Sequence, residues 1–364
     1  MKFTVNREKL LKALQRVNSI IGSRSMLPIL GNVLFKASGS TLELTTTDLE
    51  IRIGTSVEAS VEAEGETTVP ARKLASLIAC FNGADVAVTV DENHHLKLKC
   101  GSSNFTLLGL SSADFPETVS FEAVREIKIK EADFKRMLNT ISYAVSPDDS
   151  RKVLTGILFS TTGNSATLVA TDGKRLAMQE KNLEIITGPD GDAIIPLKAA
   201  NEVKRLLEGD GVLTIRIGDK QCSFESANFL LSSKLIEGNY PNYKQVIPAS
   251  FSRIIEVDSD KLLAKIETVA QVLSDSSAYI ILSFNENELK LQASSSEVGE
   301  GTDLVDITYN GEPVDVSFNP AFLADPLKYC DADKVKIKIN DSFNPVALEA
   351  GEGFLYVIMP IRKK

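Results

Sequence analysis

Two short stretches bring together residue types that could do chemistry. The only two histidines, His94 and His95, are adjacent in "VDENHHLKLK". Imidazoles can relay protons or ligate metals, but neighbours in a strand point to opposite faces and cannot readily share one metal or one relay. The pair reads as a turn entering a strand. The second stretch is "LVATDGKRLAMQE" at 168–180, where Thr171-Asp172-Gly173-Lys174-Arg175 sets an acid, a glycine and two cations within five residues. That is the composition of a phosphate-binding or acid–base loop. It is equally the signature of a hairpin, because Asp-Gly between apolar runs favours a tight turn. "GPDGD" at 188–192 and "GEGF" at 351–354 are short glycine turns without the strand–loop–helix context of a phosphate cradle. There is no H-E-x-x-H, G-x-S-x-G or Walker-type loop. Cys80, Cys100, Cys222 and Cys330 lie far apart with no C-x-x-C pair, which suits reduced thiols rather than zinc or disulfides. The expectation is a protein without a cofactor or metal, and not an enzyme.

The elements that hold these stretches recur three times at a spacing of about 124 residues, the size of a domain rather than of a solenoid unit. Each copy opens with a strand and an amphipathic helix: "FTVNREKLLKALQRV", "IKIKEADFKRMLNTI" and "IIEVDSDKLLAKIETVAQV". Further strands follow, with "LELTTTDLE" matched by "LVATDGKRLAM" and more distantly by "LKLQASSSE". A strand ending in proline then leads into a second helix: "TTVPARKLASLIACF", "AIIPLKAANEVKRLL" and "VSFNPAFLADPLKYC". Pro70, Pro196 and Pro320 are expected in the first turn, where proline costs a helix nothing. Alternating strands close each unit, and "SADFPETV" and "EGNYPNYKQVIP" connect it to the next. The fold class is therefore α+β, three repeated domains of two helices on antiparallel sheet, at residues 1–125, 126–248 and 249–364. Equivalent surfaces repeated side by side tend to give a curved chain.

Net charge is −9, unpromising for a nucleic-acid partner, yet the six helical segments together with Arg24 carry +7 and leave −16 for the rest. Lys9, Lys12 and Arg16 share one helix face, as do Lys198, Asn201 and Arg205, and Lys261, Lys265 and Thr268. Solvated helix faces commonly carry charge, but this recurrence suits a surface that holds a phosphate backbone without reading sequence. No aromatic residues interleave with the cations, which argues against single-strand stacking. The opening "MKFTVNREKLL" is charged too early for a secretory signal, and no window is apolar enough to span a bilayer, so a cytoplasmic protein with no membrane partner is expected.

The motifs "LPILGNVLF", "TTTDLE", "TTVPARK", "ADFP", "VATDGKRLA", "SKLIEGNYPNY" and "YVIMPIR", in this order along the whole chain, resemble the bacterial sliding clamps, the beta subunits of DNA polymerase III. The resemblance implies a head-to-tail homodimeric ring with helices lining a hole for duplex DNA, bound without regard to sequence. It implies a processivity factor that tethers the replicative polymerase subunit, the clamp loader and repair proteins through short linear peptides. A cleft between the second and third domains would capture those peptides. Its middle-domain residues would be Arg151, Leu154, Thr171, Gly173, Lys174, Arg175 and Leu176, with Pro241 and Val246 from the connector. The third domain would add Asn319, Phe322, Phe343, Val357, Ile358, Met359, Pro360, Ile361 and Arg362. DNA contacts carried over are Arg24, Arg72, Asp148, Lys152 and Val153. If "TDGKRL" and "YVIMPIR" face each other across the connector "NYPNYKQV", Leu176, Val246, Val357 and Met359 would floor the groove, with Arg175 and Arg362 on its rim. Three departures bear on this: the tail ends with Lys363 and Lys364, Ala278 replaces a larger side chain, and Pro326 is expected to interrupt the last helix. A peptide-binding scaffold with no DNA partner is the alternative.

Overall fold

A computed structural model describes residues 1–22, 27–118, 120–274 and 279–362. Arg24, Ala278, Lys363 and Lys364, all singled out above, lie outside the described residues. Among the described residues six α-helices form where the repeat predicts them: α1 (Arg7–Val17), α2 (Ala71–Cys80), α3 (Glu131–Ile141), α4 (Leu197–Leu206), α5 (Ser259–Ala270) and α6 (Pro320–Tyr329). Asn6, Asp258 and Asn319 cap α1, α5 and α6, each side chain accepting backbone N–H bonds of the first turn. Apolar stripes at spacings of three and four turn inward, Leu10, Leu14 and Val17 in α1 and Leu262, Ile266 and Val269 in α5.

The prolines depart from expectation. Only Pro320 lies inside a first turn; Pro70 and Pro196 end the preceding strands and stay paired, opposite Asn32 and Gly156. Pro70 keeps an extended ψ of 105°, so the helix begins one residue later. Pro326 does not interrupt α6, which runs on to Tyr329. A proline there removes the N–H that would serve the carbonyl four residues back. That carbonyl belongs to Phe322, and it accepts the Tyr356 hydroxyl at 2.6 Å instead.

Among the described residues, strands gather into sheets of thirteen, eight and four. The final strand of a repeat pairs with the strand that follows the Thr-Asp turn of the repeat before it. Phe229–Lys234 thus lies beside Ile51–Ala63, with Ser233 opposite Ile51. Phe354–Ile358 lies beside Arg175–Asn182, with Ile358 opposite Arg175. Packing follows these sheets. One compact unit holds Met1–Phe134, Ile185–Pro189 and Asn201–Leu235; the other holds Lys135–Glu184, Asp190–Ala200 and the chain from Ile236 on. The central repeat is divided between them because its first-half sheet is completed by strands of the third repeat, and its second-half sheet by strands of the first.

Candidate functional site

Register brings the predicted cleft residues to one end of the eight-stranded sheet. Thr171 pairs with Leu176 across the hairpin, Leu176 pairs with Val357, and Val357 pairs with Ala347. Val346 lies opposite Ile358, so the loop carrying Phe343 and the tail carrying Met359 leave from that same end. Gly156 begins the strand that pairs with Ser165–Thr171, so Arg151 and Leu154 arrive there too.

The turn answers its own question through hydrogen bonds. Asp172 Oδ1 accepts the N–H groups of Lys174 and Arg175 at 2.9 and 3.0 Å. Thr171 Oγ1 accepts the Gly173 N–H at 3.1 Å and donates to the Arg175 carbonyl at 2.5 Å. Gly173 has φ +86°, the left-handed region open to glycine, and the Arg151 guanidinium lies against it while donating to the Asp172 carbonyl at 2.8 Å. The carboxylate is spent on the turn's own backbone and on the Arg175 side chain, so this is a hairpin and not an acid–base loop. The Met359 N–H donates to the Lys174 carbonyl at 3.0 Å and the Ile361 N–H to the Ser317 carbonyl at 2.8 Å, which ties the tail to the turn and to the strand before α6.

Arg175 is not on a rim. Its side chain is 10% exposed and its donors are used inside the protein. Nε meets Asp172 Oδ2 at 3.1 Å, Nη1 pairs with Asp325 of α6, and Nη2 donates to the Tyr143 carbonyl at 2.8 Å. The guanidinium also lies 4.3 Å from the centre of the Phe322 ring and 5.6 Å from that of Tyr143. Arg175 therefore clamps the turn to α6, correcting the expectation that it orients a ligand directly. Asn319 is likewise occupied, as the cap of α6. Arg362 lies exposed near the end of the chain.

The floor is apolar. Leu176 and Val357 are both 2% exposed and join Leu158, Val169, Ile194 and Ala347 in one cluster. Tyr240, Tyr243 and Ile247 of the connector pack over it, together with Val153 and Met178. Val246, Phe343, Met359 and Ile361 remain exposed. Of the four floor residues expected, Leu176 and Val357 are the buried base, whereas Met359 and Val246 stand open to solvent. The strands "TDGKRL" and "YVIMPIR" adjoin within one sheet rather than facing each other across a gap. A buried apolar base with large exposed apolar groups around it suits the anchors of a short peptide.

Family models for the DNA polymerase III beta subunit match three successive segments: the N-terminal domain at residues 1–119, the central domain at 128–242 and the C-terminal domain at 244–362. The chain belongs to the DNA polymerase III beta subunit family. Beta sliding clamps of Salmonella typhimurium and Chlamydia muridarum are 35% and 33% identical over 100% of this chain and 100% and 99% of their own. The DNA polymerase sliding clamp from Pseudomonas aeruginosa matches with a TM-score of 0.95 at 32% identity over 100% of both chains. That from Bacillus subtilis, 24% identical, shares the fold with a TM-score of 0.96. The three-domain sliding-clamp fold, helices and antiparallel sheets, is thus established.

Within this beta-subunit fold the basic residues are partly engaged. On α1, Lys9 pairs with Glu58 at 3.1 Å, while Lys12 and Arg16 pair with Glu208 at 3.1 and 2.6 Å. Arg16 and then Lys12 hold the Glu208 carboxyl below the ordinary range. The helix face read as free cation is therefore substantially neutralised. Arg72 is exposed on α2 and donates to the Ile21 carbonyl. Lys152 is exposed, whereas Val153 packs on the apolar cluster. Asp148 is exposed and accepts the Ser150 N–H at 2.9 Å; that bond foremost, with Arg151 adding attraction, keeps its carboxyl below the usual range. An anionic turn cap is poor chemistry for a phosphate. His94 holds φ +61° in a turn, and His95 opens the strand His95–Cys100 with Nδ1 3.5 Å from Asp91. Among the described residues no group of three His, Cys, Asp or Glu is placed to hold a metal, and no helix is long and apolar enough to cross a membrane.

Sequence reasoning missed Asp325, Tyr143 and Tyr356, which position Arg175 and α6, and Tyr240 and Tyr243, which cover the floor. The connector tyrosines carried a signal in "GNYPNYKQV", an aromatic pair around proline beside an apolar sheet.

Proposed function

We propose that this DNA sliding clamp acts as a head-to-tail homodimer that closes around duplex DNA and tethers replication and repair proteins by their peptides. It works by binding rather than by catalysis, in the cytoplasm. The observation that carries the dimer is a pair of unmatched strand edges. Inside the chain, the final strand of a repeat twice finds the post-turn strand of the preceding repeat. Among the described residues, Ser103–Leu108, the final strand of the first repeat, has one strand partner, and so does Gly299–Asp306, the post-turn strand of the third. Phe105, Leu108 and Leu304 are exposed along them. Carrying the internal register over by the repeat sets Thr106 of one protomer opposite Thr302 of its partner. That pairing would remove two exposed edges and close the assembly.

The domains are proposed at 1–125, 126–248 and 249–364. The DNA face is proposed to use Arg72, Lys152 and Arg24 through charge alone, with Asp148 and Val153 shaping the turn between them. The apolar base of Leu176 and Val357, with Met359, Val246, Phe343 and Ile361 around it, takes the peptide anchors. Arg151, Leu154, Thr171, Gly173, Lys174, Pro241, Ile358 and Pro360 form its walls, and Arg175, Asn319 and Phe322 brace them. Two measurements test this reading. Sedimentation at micromolar concentration should give about twice 39.5 kDa. Clamps assembled on DNA should resist salt on circles and slide off linear duplex. A persistent monomer, or equal retention on both DNAs, overturns it.

A further inference from the structure

The Thr-Asp turn of the first repeat copies that of the second bond for bond. The Leu49 N–H donates to Thr47 Oγ1 at 3.1 Å, as Gly173 does to Thr171. Glu50 and Ile51 donate to Asp48 Oδ1 at 3.0 and 2.7 Å, as Lys174 and Arg175 do to Asp172. The Lys234 N–H donates to the Glu50 carbonyl at 3.0 Å, matching Met359 on Lys174. Register completes the correspondence: the cross-strand row Thr47, Arg52, Ser232, Ser223 repeats the row Thr171, Leu176, Val357, Ala347.

One backbone frame therefore carries two floors of opposite chemistry. Over the first row opens a cleft of about 400 Å³, walled by Leu49, Pro116 and Gln221, with Lys234 where the other cleft has Met359. Arg52 is half-buried in it. Its guanidinium lies 5.5 Å from the centre of the Phe115 ring and donates through Nη2 to the Pro116 carbonyl. Neither Arg52 nor Lys234 has a carboxylate within ion-pair distance among the described residues, and Arg52 Nε and Nη1 have no acceptor there. Burial alone lowers the Arg52 pKa, as expected of a cation desolvated without a counter-charge. Leu49 sits exposed at φ +78°, a left-handed position costly for leucine, and gives the opening an apolar wall.

From this geometry we propose that the cleft between Arg52, Ser232 and Lys234 is a second docking site, for the carboxylate of an extended acidic peptide. Arginine fixed on two sides and open on its remaining donors is prepared for a planar bidentate acceptor, with the Ser232 hydroxyl beside it across the strand. Glu50 and Glu117 also line the cleft and are exposed, so a phosphate dianion meets more repulsion than a single carboxylate. The site rests on the Arg52 floor and not on the reading of the apolar cleft.

Calorimetric titration of the full-length protein with acetylated, amidated Glu-Ser-Glu-Leu-Glu, against Gln-Ser-Gln-Leu-Gln, tests it. The acidic peptide should bind and the neutral one should not. R52L, which installs the residue type of the other floor, should weaken binding at least tenfold, and K234M several-fold. If R52L fails to fold, the exposed K234M decides alone. No binding of the acidic peptide at millimolar concentration, equal binding of both peptides, or unchanged affinity in K234M overturns the proposal. An Arg52 that only braces Pro116 would lower the melting temperature in R52L and leave the binding heat intact, which also overturns it.

Discussion

Replacing Arg175 with alanine withdraws the cation on which two carboxylates and two aromatic rings converge. Removing one partner of a buried ion pair costs about 3–5 kcal/mol, because the other charge is left uncompensated. Asp172 is 11% exposed but keeps two backbone donors, and Asp325 is 26% exposed and can be partly hydrated. Both facts favour the lower bound, about 3 kcal/mol, to which the lost stacking on Phe322 adds about 1 kcal/mol. A chain of this size does not unfold in one step, so the assay should be local. Hydrogen exchange should show protection of amides 171–176 and 320–329 falling by up to about a thousandfold, at about 1.4 kcal/mol per decade. Arg175→Lys keeps the charge but not the fork and should recover less than half of the loss. In a double-mutant cycle with Asp325→Ala, the coupling should reach about 2 kcal/mol. Single effects that add to within about 0.5 kcal/mol would refute the clamp and return Arg175 to the ligand side of the cleft.

Met359→Ala should weaken binding of a peptide with leucine and aromatic anchors about tenfold, since such an anchor is worth roughly 1.5–3 kcal/mol, and should leave sedimentation unchanged. Gly173→Ala should destabilise the turn by about 1 kcal/mol, read from its amide protection, because alanine resists the +86° φ and its Cβ would come within 2.9 Å of Arg151 Nη1. Glu208→Gln should lower the unfolding midpoint at neutral pH. The folded carboxyl titrates below its ordinary value of about 4.3, so its contribution is present above that value and vanishes as pH falls through the depressed one. Wild type and variant should therefore converge on acidification; a gap that does not narrow as pH falls would show that the loss is not electrostatic.

Periodicity made the repeat, the six helices and the Thr-Asp turn legible, because each is written in residues a few positions apart. What joins the repeats was not. Ile51 and Ser233, or Arg175 and Ile358, become neighbours only when separate sheets merge, and no local spacing announces it. The same distance hid the partners of charge. Lys12 and Arg16 look like a free basic face until Glu208 arrives from the second repeat, and Arg175 looks like a rim cation until Asp325 arrives from α6. Residue types on the cleft floor were readable because apolar strands announce burial; which of them stay open, as Met359 does and Val357 does not, depends on where the sheet ends and the tail begins.

Pro326 and Tyr356 bind each other's history. The Phe322 carbonyl depends on a phenol only because proline has taken its helical donor away. With proline at 326, phenylalanine at 356 strands a part-buried acceptor, at the lower end of about 1–3 kcal/mol. With any residue that carries an N–H at 326, the carbonyl recovers its own donor and no longer depends on the phenol. A lineage can therefore reach the pair in one order, tyrosine before proline, and leave it only in reverse. Each substitution is harmless or harmful according to what was accepted earlier, although the two residues lie thirty positions apart.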